Sequence, residues 1–265
     1  MRFAAFFALA LLLPLGAVAT PAFADKRVAL VIGNCDYSAA PRLRNPSADA
    51  EAMGALFESA GFDNVEIRQN LNRLDMRRAI RDFSELAQDA DIVVVFYAGH
   101  GIGIGADSYL VPTDAKVVRD IDVENEAISL GEFLRVLKPA KQLRLVLFDA
   151  SRDNPFARAM QRRAGRAPNP GLANIEPTDS DTLIAYATKA GSEAVDGDGP
   201  HSPFTAALLK NLMTPGLDIR RAFMLVRDEV MQATDDKQEP FVYGSLGASD
   251  VTLASPAGQD RPPAR

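Results

Sequence analysis

The chain has 265 residues, of which 47% are hydrophobic and 24% are charged, and its formal net charge is −6. These proportions are ordinary for a globular protein that buries a full core, and the acidic balance argues against a protein that holds nucleic acid non-specifically. Cys35 is the single cysteine, so the chain forms no internal disulfide and depends on packing for its stability.

The first 24 residues predict an export signal rather than a part of the fold. Arg2 is followed by an apolar run, residues 3–18, and then by the small-x-small sequence Ala22-Phe23-Ala24, which is typical of a signal-peptidase site. An uncleaved membrane anchor is the alternative, but the run is short for a spanning helix and contains Pro14. We expect cleavage after Ala24 and a periplasmic or secreted mature protein that does not associate with a membrane. Its formal charge would be −7, because Arg2 is the only charge removed.

Strands and helices alternate along the rest of the chain. Strands are predicted at residues 27–32, 65–68, 91–97, 108–111, 144–148 and 182–187, with a last strand between 241 and 253. Helices are predicted from Asn45-Pro46 to Gly61, then at 75–87, 130–137, 202–213 and 218–231. This alternation predicts an α/β fold with a mainly parallel sheet of about six strands and helices on both faces.

The stretch from Leu143 to Phe156 carries the strongest functional signal. An uninterrupted apolar run, residues 145–148, stops at the polar sequence Asp149-Ala150-Ser151-Arg152-Asp153-Asn154-Pro155. Continuous apolarity is typical of a strand buried on both faces, and the polar cluster then lies at the carboxyl edge, where open α/β sheets do their chemistry. Ser151 is therefore a candidate nucleophile, although a serine in a turn also serves as a local hydrogen-bonding residue.

A histidine follows the preceding predicted strand. Residues 91–97 lead into Ala98-Gly99-His100-Gly101, so His100 and Ser151 are expected at the same edge of one sheet. A histidine about fifty residues before the nucleophile of a short D/Q-A-C motif is the caspase arrangement. The spacing between His100 and Ser151 fits that arrangement.

These motifs resemble those of the caspase-like clan, peptidase family C14, and especially the bacterial relatives of metacaspases. The resemblance rests on His-Gly after one strand, DASRDNPF after the next, a basic loop, and SPFTAALL at residues 202–209. It implies a caspase-like sheet and the ancestry of a cysteine-type endopeptidase. It divides the chain into a large part (25–157), a basic loop (158–177), a small part (178–254) and a tail (255–265) that we expect to be disordered.

The resemblance also implies roles for the site residues. His100 would be the general base, and the backbone N–H groups of Gly101 and Ser151 would form the oxyanion hole. Asp149 would line the S1 pocket and pair with an arginine or lysine of a peptide or protein substrate. Asp36, after the first strand, is a second candidate for this pocket, and bidentate recognition would favour arginine over lysine. Both acids also fit a turn-forming role at strand ends.

Ser151 stands where the family places its catalytic cysteine. A thiol with a pKa of about 8.5 is partly ionised at neutral pH, whereas a serine hydroxyl needs a base that a third group orients. We therefore expect a weak or inactive pseudopeptidase that binds basic peptides. The alternative is an active endopeptidase that cleaves after arginine or lysine through Ser151 or Cys35 with His100. A serine introduced by engineering would give the same sequence as a natural serine. The codon at position 151 of the natural gene distinguishes these two origins.

Cys35 has two further interpretations, a redox-sensitive thiol and a small buried hydrophobic residue. The basic loop holds Arg158, Arg162, Arg163 and Arg166, where a protease that prefers basic residues would cut during maturation; a solvated linker is the alternative. His201 is predicted to be a loop residue before the helix cap Ser202-Pro203.

No cofactor is expected from the residues themselves. Metacaspases often need calcium, and the acids in a suitable region are Asp114, Asp120, Asp122 and Glu124. Gly101–Ala106 matches the glycine pattern of dinucleotide-binding loops, but the extended sequence that follows cannot present a helix amino terminus to a phosphate. The oligomeric state stays open, because caspases pair through a sheet edge and metacaspases are mostly monomeric.

Overall fold

The structure, a computed structural model, describes residues 25–104, 107–151, 154–156, 160, 179–189, 194 and 197–254. The predicted export signal, nearly all of the predicted basic loop and the predicted tail lie outside the described residues. Within the described part of the chain, no helix combines the length and apolarity that crossing a membrane requires.

The described strands form one sheet. They are β1 (Arg27–Gly33), β2 (Asn64–Gln69), β3 (Ile92–Ile104), β4 (Asp107–Leu110), β5 (Ile128–Ser129), β6 (Leu143–Ser151), β7 (Thr182–Tyr186) and β8 (Phe241–Ser245). The main path runs β2-β1-β3-β6-β7-β8, with all pairs parallel except β7 and β8. The strand β4 pairs antiparallel with the second half of β3, and β5 pairs with β4. The predicted α/β fold with a mainly parallel sheet is confirmed.

Helices cover this sheet. They are α1 (Pro46–Ser59), α2 (Arg73–Ala87), α3 (Val123–Glu126), α4 (Leu130–Leu137), α5 (Pro203–Asn211) and α6 (Ile219–Ala233). The side chains of Ser129 and Ser202 each accept a backbone N–H of the first turn, as the sequence predicts. Asn45 precedes α1 as predicted, but its side chain makes no capping hydrogen bond. Pro46 instead supplies a first residue that has no N–H to satisfy.

Alternate residues of β1, β3, β6 and β7 face two different helical layers. On one face, strand residues such as Val94 and Leu145 pack with α1, α5 and α6. On the other face, Val95 and Val146 pack with α2 and α4. Both faces are covered, which is why these strands read as continuous apolar runs instead of alternating patterns.

A smaller apolar cluster includes the carboxyl end of β3. It joins Ile102 and Val111 to Val123 of α3 and to Phe156 and Met160, which follow β6. Neither α3 nor this cluster is predicted from the sequence, because their apolar residues are too few and too widely spaced for a periodic signal. The cluster fixes the chain soon after it leaves Ser151.

The first turn of α1 lies directly against the end of β1. A Cβ on Gly33 would lie 2.2 Å from the carbonyl oxygen of Pro46 and 2.8 Å from Cβ of Ala50. Neither atom belongs to a flexible side chain, so we expect Gly33→Ala to lower the free energy of unfolding by about 1–3 kcal/mol, measured by urea denaturation. Gly247→Ala is the matched control, because a Cβ there meets no atom within 4 Å. Equal losses in the two variants would contradict this account.

Candidate active site

Two strands extend further than the sequence predicts. β3 runs through His100 and β6 runs through Ser151, so residues 149–151 belong to a strand and not to a turn. The parallel register pairs Ala98 with Asp149 and His100 with Ser151. His100 and Ser151 form the last pair of this register, at the carboxyl end of the paired strands. Because hydrogen-bonded strands lie about 4.8 Å apart, the two residues are direct neighbours.

The backbone of His100 is held by two tyrosine hydroxyls. Its N–H donates to Tyr37 Oη at 2.9 Å. Its carbonyl oxygen accepts from Tyr97 Oη at 2.8 Å and from the N–H of Val111 at 3.1 Å. Gly99 permits this arrangement, since a Cβ there would lie 2.6 Å from Tyr37 Oη and 2.7 Å from Tyr97 Oη.

The imidazole of His100 is buried and oriented. Its Nε2 lies 2.8 Å from the carbonyl oxygen of Pro41, and its ring packs on Tyr37 with 4.6 Å between centroids. A carbonyl only accepts hydrogen bonds, so the partner assigns the proton to Nε2 and leaves the lone pair of the neutral ring on Nδ1. A backbone carbonyl thus orients the ring as a base.

Both tyrosines stay neutral beside this ring. Burial raises the pKa of Tyr37 above its ordinary value, although its hydrogen bond with the backbone of His100 opposes the shift. Burial also raises the pKa of Tyr97. The two phenols therefore act on His100 as hydrogen-bond partners and add no charge to the site.

Asp149 lies two residues before Ser151 and is 8% exposed. Its Oδ2 accepts from the hydroxyl of Ser202 and from Thr205 Oγ1, the latter at 2.7 Å. Ser202 is the N-cap of α5, so this carboxylate lies at a helix amino terminus, where negative charge is favoured. The structure joins the predicted pocket acid to the small part of the chain.

Asp36 has different surroundings. Its carboxylate is half exposed, pairs with Arg42 Nε at 2.8 Å and accepts from Asn70 Nδ2 at 3.1 Å. An exposed ion pair of this kind holds its partners only weakly. Gly101, the other predicted oxyanion-hole residue, is buried and pairs with Leu110 in the antiparallel half of β3.

Cys35 is 4% exposed. Its Sγ accepts from the N–H of Ser47 at 3.2 Å and from Ser47 Oγ at 3.1 Å. This position favours the interpretation of Cys35 as a small buried residue that packs under α1.

Two of the acids considered for calcium have protein partners in the structure. Asp122 is bonded to Arg119, which lowers the pKa of its carboxyl group, and Asp114 accepts from the backbone N–H of Arg73. Among the residues that the structure describes, no group of three or more His, Cys, Asp or Glu side chains is placed to hold a metal ion.

The sequence does not predict several residues that contact the site. Tyr37 and Pro41 lie in the loop after β1, and Thr205 lies in the first turn of α5. His201 is more than a loop residue: its Nδ1 lies 2.8 Å from Oδ1 of the buried Asp49 in α1. Each contact joins distant segments of the chain, and no local pattern signals it.

A separate cleft of about 330 Å³ opens between α6 and β8, on the last strand of the main sheet path. Its lining includes Phe223, Met224, Phe241 and Val242. None of the candidate site residues lines it, so this cleft is separate from the candidate active site.

Comparison with known proteins agrees with the fold and the motifs. Residues 26–249 match the caspase domain family. The chain therefore belongs to the caspase domain family. The register of β3 and β6 places His100 of the His-Gly motif beside Ser151 of the second motif.

Individual relatives add detail. A stretch of 92 residues is 34% identical to human mucosa-associated lymphoid tissue lymphoma translocation protein 1 and 33% identical to its mouse homolog. The match covers 35% of this chain and 11% of each relative, so the chain matches about a tenth of their length. The crystal structure of caspase-1 from Spodoptera frugiperda shares the fold, with a TM-score of 0.62 and 15% identity over 89% of this chain and 92% of that chain.

The hydroxyl of Tyr37 offers a direct test of the histidine clamp. Tyr37→Phe leaves the buried N–H of His100 without this acceptor, so we expect a loss of about 1–3 kcal/mol in unfolding free energy at pH 7. The pKa of Tyr37 is raised in the folded state, so wild-type stability falls as pH rises through about 10, where the unfolded chain ionises first. The variant lacks this ionisation, and its deficit should narrow in urea denaturation at pH 10.5. A constant deficit would show that the hydroxyl is not buried as described.

Proposed function

We propose that this chain is a caspase-like domain that binds peptides with a basic residue and hydrolyses them weakly or not at all. The observation that carries the proposal is the pairing of His100 with Ser151 across β3 and β6. It supports a site built on the family's plan with serine at the nucleophile position. Caspase-like domains act on protein or peptide substrates, which sets the class of ligand.

The difference between serine and cysteine supports the weak-activity part of the proposal. A cysteine beside an imidazole is readily ionised, so a Cys-His pair attacks a carbonyl with little further help. A serine hydroxyl is far less acidic and must lose its proton to the base during attack. The oxyanion-hole donors proposed at Gly101 and Ser151 are backbone groups, so exchanging one side chain leaves them in place. The site would then still bind the carbonyl group of a substrate, although it cleaves the peptide bond inefficiently.

One observation favours the alternative, an active serine-type endopeptidase. The carbonyl of Pro41 orients the His100 ring as a third group, which is the help that a serine nucleophile needs. A carbonyl carries only a partial negative charge and stabilises the imidazolium less than a carboxylate does. We therefore assign slow turnover at most to Ser151. The buried thiol of Cys35, engaged by Ser47, is not assigned a catalytic role.

Basic-residue preference is proposed from the position of Asp149. Its charge is largely buried, two residues before Ser151, and its two hydroxyl donors on Oδ2 supply hydrogen bonds but no counter-charge. A guanidinium supplies a counter-charge together with further N–H donors. A substrate arginine therefore suits this position better than lysine or a neutral residue.

Turnover of fluorogenic peptides ending in arginine or lysine tests the proposed activity. We expect rates at or near background for the purified protein, at least a hundredfold below those of its own Ser151→Cys variant, because a neutral hydroxyl is the weaker nucleophile. Robust turnover that His100→Ala abolishes would instead establish the active serine enzyme. A phosphonate that labels Ser151 in the wild type, but not in His100→Ala, would identify the nucleophile in that case.

Restoring the family's nucleophile is the complementary test. Ser151→Cys should create hydrolysis after arginine, and Ser151→Cys combined with His100→Ala should lose it again, because the thiol depends on the imidazole for ionisation. The Ser151→Ala variant controls for background. A folded Ser151→Cys protein without His100-dependent activity would contradict the proposal that only the nucleophile is missing.

A further inference from the structure

The start of α5 is fixed to α1 and to β6 by two buried carboxylates. His201 bonds Asp49 of α1, with 2.8 Å between Nδ1 and Oδ1. The next residue, Ser202, donates its hydroxyl to Asp149 of β6. Two consecutive side chains thus lock the start of α5 onto two different elements of the large part.

Asp149 receives two hydroxyl donors on one oxygen. Thr205 Oγ1 lies 2.7 Å from Asp149 Oδ2, the same oxygen that accepts from Ser202. Ser202 Oγ is itself held by the N–H of Thr205 at 2.9 Å. Ser202 and Thr205 are both buried, so neither hydroxyl readily exchanges Asp149 for water.

This arrangement has two physical effects on the carboxylate. The two hydroxyl donors replace hydrogen bonds to water that the carboxylate loses on burial. Donors gathered on one oxygen also fix the plane of the group, because rotation about the Cβ–Cγ bond would break both hydrogen bonds. A guanidinium forms its charge-assisted hydrogen bonds best with an ionised carboxylate that is held in a defined plane.

From this geometry we infer that Ser202 and Thr205 are specificity-determining positioning residues, which hold Asp149 in the orientation that recognises the basic side chain of a bound peptide. The inference rests on the proposed function. It assigns the selectivity of a site at β3 and β6 to two hydroxyls of the small part, which touch the acid and not the substrate. The small part therefore contributes to substrate choice through Asp149.

Thr205→Val gives the sharpest test, because valine keeps the shape and branching of threonine and removes only the hydroxyl. Binding is measured by fluorescence polarisation with a labelled tetrapeptide amide ending in arginine and with the same peptide ending in citrulline, which is similar in shape but uncharged. We expect Thr205→Val to weaken arginine-peptide binding about tenfold and to leave citrulline-peptide binding unchanged. Thr205→Ser, which keeps the hydroxyl, should retain the wild-type ratio.

Different outcomes would overturn the basic pocket and the role of its positioning residues. If wild-type protein does not prefer the arginine peptide over the citrulline peptide, the proposed basic pocket is wrong and the inference falls with it. If wild type shows the preference and folded Thr205→Val keeps it, only the inference is overturned. Equal weakening of both peptides would also overturn it, because a loss that does not depend on the charge of the ligand indicates general damage to the structure.

Ser202→Gly provides a second route if Thr205→Val does not fold. Glycine is a tolerated N-cap, so α5 can still form, while the hydroxyl donor to Asp149 is lost. We expect the same selective loss for the arginine peptide, of about tenfold. A folded Ser202→Gly protein that keeps the full arginine preference would count against the inference.

Discussion

The parallel pairing of β3 with β6 is the constraint on which the rest of the site depends. Nine consecutive residue pairs join these strands, from Ile92 and Leu143 to His100 and Ser151. Because side chains alternate along a strand, a register slip of one residue would turn every one of them to the opposite face. The buried helical layers on both faces forbid such a slip, so core packing determines which residue stands beside His100.

The same packing explains how much of the fold could be predicted. Strands covered on both faces leave long apolar runs, and their order along the chain with intervening helices implies a parallel sheet. The helix at Leu130–Leu137 is predicted to the residue, because Ser129 is a recognisable cap and the apolar spacing is regular. The carboxyl ends of β3 and β6 are not predicted. Gly99 and Asp149 look like turn residues, yet each continues its strand because a neighbouring strand or a hydroxyl satisfies it.

The candidate site is predictable only where its residues follow strands. His100 and Ser151 carry that signal, and the structure makes them neighbours. Tyr37, Pro41 and Thr205 carry none, because their contribution depends on contacts between segments far apart in sequence. The ring of a proline is what usually makes this residue informative in a sequence. Here the carbonyl oxygen of Pro41 contacts the imidazole of His100 instead. Such backbone contributions leave no residue-type signature at all.

The surroundings of Cys35 also affect how the protein can be studied. Its sulfur is buried under α1 and already accepts two hydrogen bonds from Ser47. A cysteine reacts with thiol reagents when its thiolate is exposed and can attack them. Maleimide dyes or spin labels should therefore react slowly with the native thiol. New cysteines introduced on the surface can be labelled selectively without first removing Cys35, which makes distances between the two parts of this chain accessible to fluorescence and paramagnetic methods.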